Sequence, residues 1–487
     1  STLLRTLAGV LMANSAWADA PASRSFGALE FRHCTLSAEG LAQTVPAQCT
    51  TLTVPENRNR PDGRQLELAI AWIPARAKRP EPDPVIMLAG GPGQSARESF
   101  PAVAGAFAAM MRRRDVILVD QRGTGGSAAL RCVDDQGDAA VTDRDPRDLD
   151  AARDFARRCL ESLRYDARFF TTGAAVEDLE AVRLALGAPA VNLVAISYGT
   201  RVAQEYMRRY PESVRAAVMD GIVPPGLALG SEHARNLDEA LRLQMQRCEA
   251  DAACSARFPA PLSALEDLRS ELAEKPLSVK FRDPLTDELQ EAELDAPTLG
   301  AVARMYSYSP QLTALLPLAL ANLASGDAEI FMAQARMIES LVGEQITHGM
   351  QLSVLCSEDA PSLRVDPADA DTLMGSSFVE FILAQCSVWP AGEVAENFHD
   401  ALHGEHPALL LSGEFDPVTP PRYGERVVGT LSNGRHLVLR GQGHNVMIAG
   451  CAPGLMAAFI ESADARSLDA SCLEQLIYTP AFTGSYG

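Results

Sequence analysis

No C-x-x-C pair occurs among the ten cysteines, which removes the usual spacing of a structural zinc site. Runs of Lys and Arg are missing as well, and the formal net charge is −20. Such a chain repels nucleic acid and anionic lipid, so neither is an expected partner. Beyond the first twenty residues no stretch approaches the roughly 20 consecutive apolar residues of a membrane span, so no membrane partner is expected either. Internal repeats, low-complexity tracts and sustained heptads are also lacking. With 47% hydrophobic and 22% charged residues, the composition is that of an ordinary globular protein.

What is present begins with length. At 487 residues the chain exceeds the roughly 250–300 at which single cores stop growing, so a main body with a large insertion is expected. Residues 1–20 read as a secretory signal peptide: Arg5, a short apolar stretch from Leu7 to Met12, then Ala16, Trp17, Ala18 and Ala20. With Ser rather than Met at position 1, the sequence is expected to be clipped at its start. Ten cysteines agree with export, because disulfides persist mainly in oxidising compartments. Many pairings are open to ten cysteines. Sequential neighbours are the expected one: Cys34 with Cys49, Cys132 with Cys159, Cys248 with Cys254, Cys356 with Cys386, and Cys451 with Cys472. Each bridge contributes about 2–4 kcal/mol if unstrained. A secreted or periplasmic location follows.

From Val85 onward short apolar runs alternate with amphipathic stretches, the pattern of a mostly parallel sheet with crossover helices. Strands are predicted at Val85 to Leu88, Val116 to Val119, Val191 to Ile196 and Ala216 to Met219. A helix is predicted from about Ala174 to Leu186, with Thr172 as its cap. The alternation stops after Pro224-Pro225 and returns at Ala408. The reading is an α/β class chain with a first core part at 26–225, a mainly helical cap at 226–400, and a second core part at 401–487.

Strand, sharp turn and helix meet at Ala195-Ile196-Ser197-Tyr198-Gly199. This is a G-x-S-x-G nucleophile elbow with Ala in the first glycine position, which places Ser197 as a candidate nucleophile. A serine hydroxyl needs a base, and the base needs an orienting acid. Leu409 to Pro417 reads as a buried strand ending in a turn that presents Asp416, with Glu414 as the nearby competitor. Gly441-Gln442-Gly443-His444-Asn445 then puts His444 on a glycine-rich loop, in the chain order serine, acid, histidine. Acyl transfer also needs donors for an oxyanion. Gly90-Gly91-Pro92-Gly93 follows a strand, so the N–H groups of Gly91 and Tyr198 are the candidates. A phosphate cradle is the rival for such a loop, but the P-loop lysine is absent and Pro92 removes a donor. In Asp120-Gln121-Arg122-Gly123-Thr124-Gly125-Gly126-Ser127, the G-x-G-x-x-G spacing is not met, so a structural loop with Asp120 and Arg122 paired is expected.

Taken together, G-G-P-G, D-Q-R-G-T-G-G-S, A-I-S-Y-G-T, G-E-F-D-P-V-T-P and G-Q-G-H-N resemble the prolyl iminopeptidase and tripeptidyl aminopeptidase group of α/β-hydrolases, from about residue 30 to residue 475. The resemblance implies an α/β-hydrolase fold, a helical cap, no cofactor, and an exopeptidase acting on small peptides with a free N-terminus. It carries the triad to Ser197, Asp416 and His444, and the oxyanion donors to Gly91 and Tyr198. Two positions depart from the pattern: Ala89 stands where His commonly precedes G-G-P-G, and Ala195 replaces the elbow's first Gly. A carboxylesterase using the same triad is the alternative. An aminopeptidase must hold a cationic amine, so cap carboxylates are expected near Ser197: Glu358 and Asp359, with Glu232 as a further candidate. His399, His403 and His406 lie near Glu405, but no other ligands converge on them, so no metal is expected.

Overall fold

Aliphatic runs punctuated by Gly, Pro and polar turns form the strands of this computed structural model, which describes residues 23–484 apart from 39, 41 and 134–147, and no side chains at 338–345. The leader expected over residues 1–20 lies outside the described residues. The strands are β1 (Arg24–Phe26), β2 (Leu29–Ser37), β3 (Thr44–Pro55), β4 (Gln65–Ile73), β5 (Val85–Leu88), β6 (Val116–Val119), β7 (Val191–Ile196), β8 (Val214–Asp220), β9 (Leu277–Arg282), β10 (Leu289–Leu294), β11 (Ala408–Gly413) and β12 (Gly434–Leu439). Among the described residues, ten of them make one sheet in the order β1-β2-β3-β4-β6-β5-β7-β8-β11-β12. The first four strands pair antiparallel, and from β6 to β12 every pairing is parallel.

The parallel part needs crossovers, supplied by helices such as Ala96–Phe107, Thr172–Leu186 and Tyr198–Arg209. Both faces are thereby covered. Along β5, Ile86 and Leu88 join one hydrophobic cluster with Ile117 and Leu193, while Val85 and Met87 join a second with Val116 and Val194. Burial on both faces is why these strands read as unbroken apolar runs. The antiparallel edge was not read from the sequence, because β3 alternates buried residues with exposed threonines and no single window of it is uniformly apolar.

Residues 221–407 contribute no strand to the main sheet. They build helices around a cluster of their own that includes Leu237, Leu268, Leu299 and Phe331. The expectation of helices needs one addition: β9 and β10 form a separate antiparallel hairpin that turns Val279 and Phe281 into this cluster. The ten cysteines form five disulfides, Cys34–Cys49, Cys132–Cys159, Cys248–Cys254, Cys356–Cys386 and Cys451–Cys472.

Two local expectations are corrected. The cap of helix Thr172–Leu186 is Thr171, whose side chain accepts from Ala174 N, and Thr172 is the first helical residue. Asp120 and Arg122 are not partners, because the turn sends them to different places. Asp120 accepts from Ser95 Oγ (2.6 Å), Arg97 N (3.0 Å) and Gly126 N (2.9 Å). Arg122 is fully buried and grips Asp178 with two bonds of 2.6 and 2.7 Å, while also donating to the Phe169 carbonyl at 2.8 Å. Arg122→Met is therefore expected to cost about 3 kcal/mol of unfolding free energy in urea titration, near the low end for breaking a buried pair. The low end applies because Arg58 still bonds Asp178.

Candidate active site

Ser197 follows β7 directly and opens helix Tyr198–Arg209, with φ 53° and ψ −123°. That left-handed geometry is costly for a residue with a side chain. Neighbouring bonds hold it: Ser197 N donates to Asp220 O (2.8 Å), and Thr200 Oγ1 donates to Ser197 O (2.7 Å). Glycine is required at 199, where a Cβ would stand 2.5 Å from the Leu88 carbonyl oxygen and 2.6 Å from that of Ala89. Ala195, in contrast, is fully buried in the strand, and its methyl group is packed into the core.

Asp416 lies in the turn after β11. Its Oδ1 accepts from Val418 N and Thr419 N, both at 2.8 Å, and its Oδ2 accepts from Thr419 Oγ1 at 2.8 Å. Oδ2 also meets His444 Nδ1 at 2.8 Å. Burial alone would raise the Asp416 pKa, but the imidazole charge and these donors outweigh it and hold the carboxyl below the usual range. For His444, burial opposes protonation, and the Asp416 charge and hydrogen bond reverse that to a net rise. The competing acid is engaged elsewhere: Glu414 accepts from Gly441 N (2.7 Å) and Tyr478 OH (3.0 Å).

The His444 main chain is fixed by its N–H to Tyr308 O at 2.9 Å, and the Tyr308 ring stands edge-on to the imidazole at 5.4 Å. The ring reaches the elbow beside Gly221, which follows the carbonyl that Ser197 N bonds. A Cβ on Gly221, whose φ is +68°, would lie 2.9 Å from His444 Cε1. Hydroxyl and imidazole therefore stand at adjacent strand ends and line one cavity of about 490 Å³. Among the described residues no hydrogen bond joins them directly. Gly91 and Tyr198 line the same cavity, and a Cβ on Gly90 would come 3.1 Å from Ser197 Cβ. A serine, an imidazole bonded to a buried carboxylate, and a glycine loop in one pocket can carry out acyl transfer.

The alpha/beta hydrolase fold family matches residues 83–450. The chain belongs to that family. Among its relatives, serine protease Hip1 of Mycobacterium tuberculosis is 25% identical over 479 residues, covering 88% of this chain and 87% of its own. The tripeptidyl aminopeptidase of Streptomyces lividans is 32% identical over 194 residues, 37% of this chain and 36% of its own. Carboxylesterase B of M. tuberculosis is 28% identical over 414 residues, 78% of this chain and 77% of its own. This alpha/beta hydrolase is a serine hydrolase.

In this alpha/beta hydrolase the expected amine-binding pair needs correction. Residues Leu355–Asp359 form a π-helical turn that points both acids away from the cavity and into the body. Glu358 accepts from Thr172 N (2.6 Å) and Thr172 Oγ1 (2.8 Å), and Thr172 Oγ1 in turn meets Tyr198 OH at 2.6 Å. Asp359 accepts from Arg201 Nη1 (3.0 Å) and Leu229 N (2.8 Å). Glu232 does line the cavity, where its carboxylate accepts from Tyr423 OH at 2.7 Å. The His399 ring bonds the Pro225 carbonyl at 3.1 Å.

Asp220 is the residue that sequence reasoning missed. Buried at the end of β8, it accepts from Val446 N (3.0 Å) and Met447 N (2.8 Å), which fixes the loop just after His444. Burial pushes its pKa up to about 6 against those two donors. Its position at a strand end, beside Gly221, was the available signal.

Burial also pushes Glu358 up to about 7 from 4.5. A raised pKa means that the folded state binds the proton more tightly, so the stability from this group is full below pH 4.5 and lost as pH rises through 7. Relative to wild type, Glu358→Gln is expected to gain stability as pH climbs across that window, measured as the difference in thermal midpoint at each pH.

Proposed function

We propose that the protein is an exported serine aminopeptidase that removes residues from the free N-terminus of short peptides. Ser197 is the nucleophile, His444 the general base, and Asp416 the group that orients the base. His444 takes the hydroxyl proton as Oγ forms a bond to the scissile carbonyl carbon. The N–H groups of Gly91 and Tyr198 stabilise the oxyanion, each donor contributing about 3–4 kcal/mol. Collapse breaks the C–N bond, His444 hands the proton to the leaving amine, and water then hydrolyses the acyl-enzyme by the same route. The Ser197–His444 hydrogen bond is expected to tighten with substrate bound, as catalytic bonds commonly do.

The observation that carries the peptidase reading is the Glu232 carboxylate in the cavity shared by Ser197 and His444. It offers a cationic α-amine a charge-assisted bond within the reacting pocket. The residues of 221–407 that wall the cavity serve as its cap. Relatives named as a serine protease and a tripeptidyl aminopeptidase support the class, and five disulfides support a secreted or periplasmic location.

The relative named carboxylesterase B favours a second reading, hydrolysis of uncharged acyl esters by the same triad. A panel of aminoacyl and tripeptidyl arylamides, free or N-acetylated, run beside simple esters separates the two. The aminopeptidase reading expects turnover of the free amines and its loss on acetylation. Ester turnover indifferent to a free amine, with arylamides untouched, overturns it.

A further inference from the structure

Arg304, on helix Ala296–Tyr306, is the one Arg or Lys among the residues lining the cavity. In a chain with 63 acidic residues, a cation without a counter-charge is unexpected. Among the described residues no carboxylate lies within ion-pair distance of this guanidinium, and its hydrogen-bond acceptor is the Tyr308 hydroxyl at 3.3 Å. Two rings hold it, with centroids 5.5 Å (Phe378) and 6.0 Å (Tyr308) from Cζ. A guanidinium pinned against aromatic rings keeps its N–H fork for a planar anion and loses little freedom on binding one. Glu232, the carboxylate that lines the same cavity, has Tyr423 OH at 2.7 Å and the part-exposed Arg422 at 3.5 Å as its partners, not Arg304.

The place of Arg304 gives the side of the scissile bond it serves. Its bonded partner Tyr308 presents its ring to His444 and accepts the His444 N–H. The positive charge of Arg304 opposes protonation of both His233 and His444. Arg304 thus flanks the imidazole, and in acyl transfer by a serine triad the imidazole faces the leaving group. A cavity of about 490 Å³ falls in the range of roughly 300–1,000 Å³ that encloses one small ligand.

We infer that Arg304 binds a carboxylate on the leaving-group side of the scissile bond. In the peptidase reading, on which the choice of peptide substrates rests, that carboxylate is the C-terminus of a short peptide or an acidic side chain just after the cut. Arg304 is then a specificity-determining residue, and the enzyme selects peptides whose far end still lies inside the cavity.

The experiment compares kcat/KM for matched tri-, tetra- and pentapeptides as free acids and as C-terminal amides. Amidated peptides with Glu after the cut form a further arm, with products identified by mass. Wild type is expected to prefer the carboxylate by about tenfold to a hundredfold, the scale of a charge-assisted bond. A preference for the free acid that fades with length identifies the terminus, and one that survives amidation through Glu identifies the side chain; either supports the inference. Arg304→Gln is expected to bring the ratio near one, and Arg304→Lys to keep part of it. Esters whose phenol carries a carboxylate or its methyl ester read the same preference without peptides. Failure to cleave any free-amine peptide removes the aminopeptidase reading alone. Equal rates for carboxylate and neutral partners in wild type, across peptides and esters, overturn the role of Arg304, as does an undiminished preference in Arg304→Gln.

Discussion

Ser197→Ala is expected to lower kcat by about 10⁴-fold or more, because without Oγ the imidazole and oxyanion donors have no covalent intermediate to serve. The fold should not change. One oxygen is removed from a partly buried site, and the bonds that hold the turn, Ser197 N to Asp220 O and Thr200 Oγ1 to Ser197 O, involve only the main chain of residue 197. A fluorophosphonate probe is expected to label wild type stoichiometrically and leave the variant unlabelled. Arylamide or ester turnover within tenfold of wild type in Ser197→Ala would place the nucleophile elsewhere.

Asp416→Asn is expected to lower kcat by about 10⁴-fold while the backbone stays in place. The reason lies in where the donors point. Val418 N and Thr419 N both aim at Oδ1, so an asparagine keeps its carbonyl oxygen there and turns its NH₂ toward His444 Nδ1. The imidazole must then accept at Nδ1 and carry its proton on Nε2, the tautomer that cannot take a proton from serine. The pH profile offers an independent reading. In the wild type the Asp416 charge raises the His444 pKa above 6.5, so kcat/KM should rise with pH along an acid limb lying above that value. Removing the charge takes away the largest influence that opposes burial and leaves only the weaker one of Asp220, so the residual activity should show that limb displaced to lower pH. An unmoved limb would mean that another group governs it.

Much of the candidate site was legible because each residue proposed to react sits where chain geometry admits few alternatives. Gly199 and Ser197 mark a turn so tight that backbone atoms touch, and the glycines around His444 mark a loop that passes close to Tyr308. What failed depended on side-chain direction. Asp120 and Arg122 are two apart in a turn, yet one bonds Ser95 and the other Asp178. Glu358 and Asp359 carry the charge an amine needs, but a π-helical turn and partners far back in the chain, Thr172 and Arg201, take both carboxylates. Local spacing holds no record of such partners. Asp220 was hidden differently, as one acid among 63, and only its bonds to Val446 and Met447 single it out.

The anchoring of Glu358 and Asp359 sets the terms for engineering chimaeras. A designer grafting a foreign lid onto this scaffold would naturally cut where the chain leaves and rejoins the sheet, near residues 221 and 407. The true seam also runs through Thr172 and Arg201. A donor lid lacking acids opposite them strands a guanidinium in the interior without its counter-ion, and leaves the N–H and hydroxyl of Thr172, the neighbour of the Tyr198 phenol, without their carboxylate acceptor.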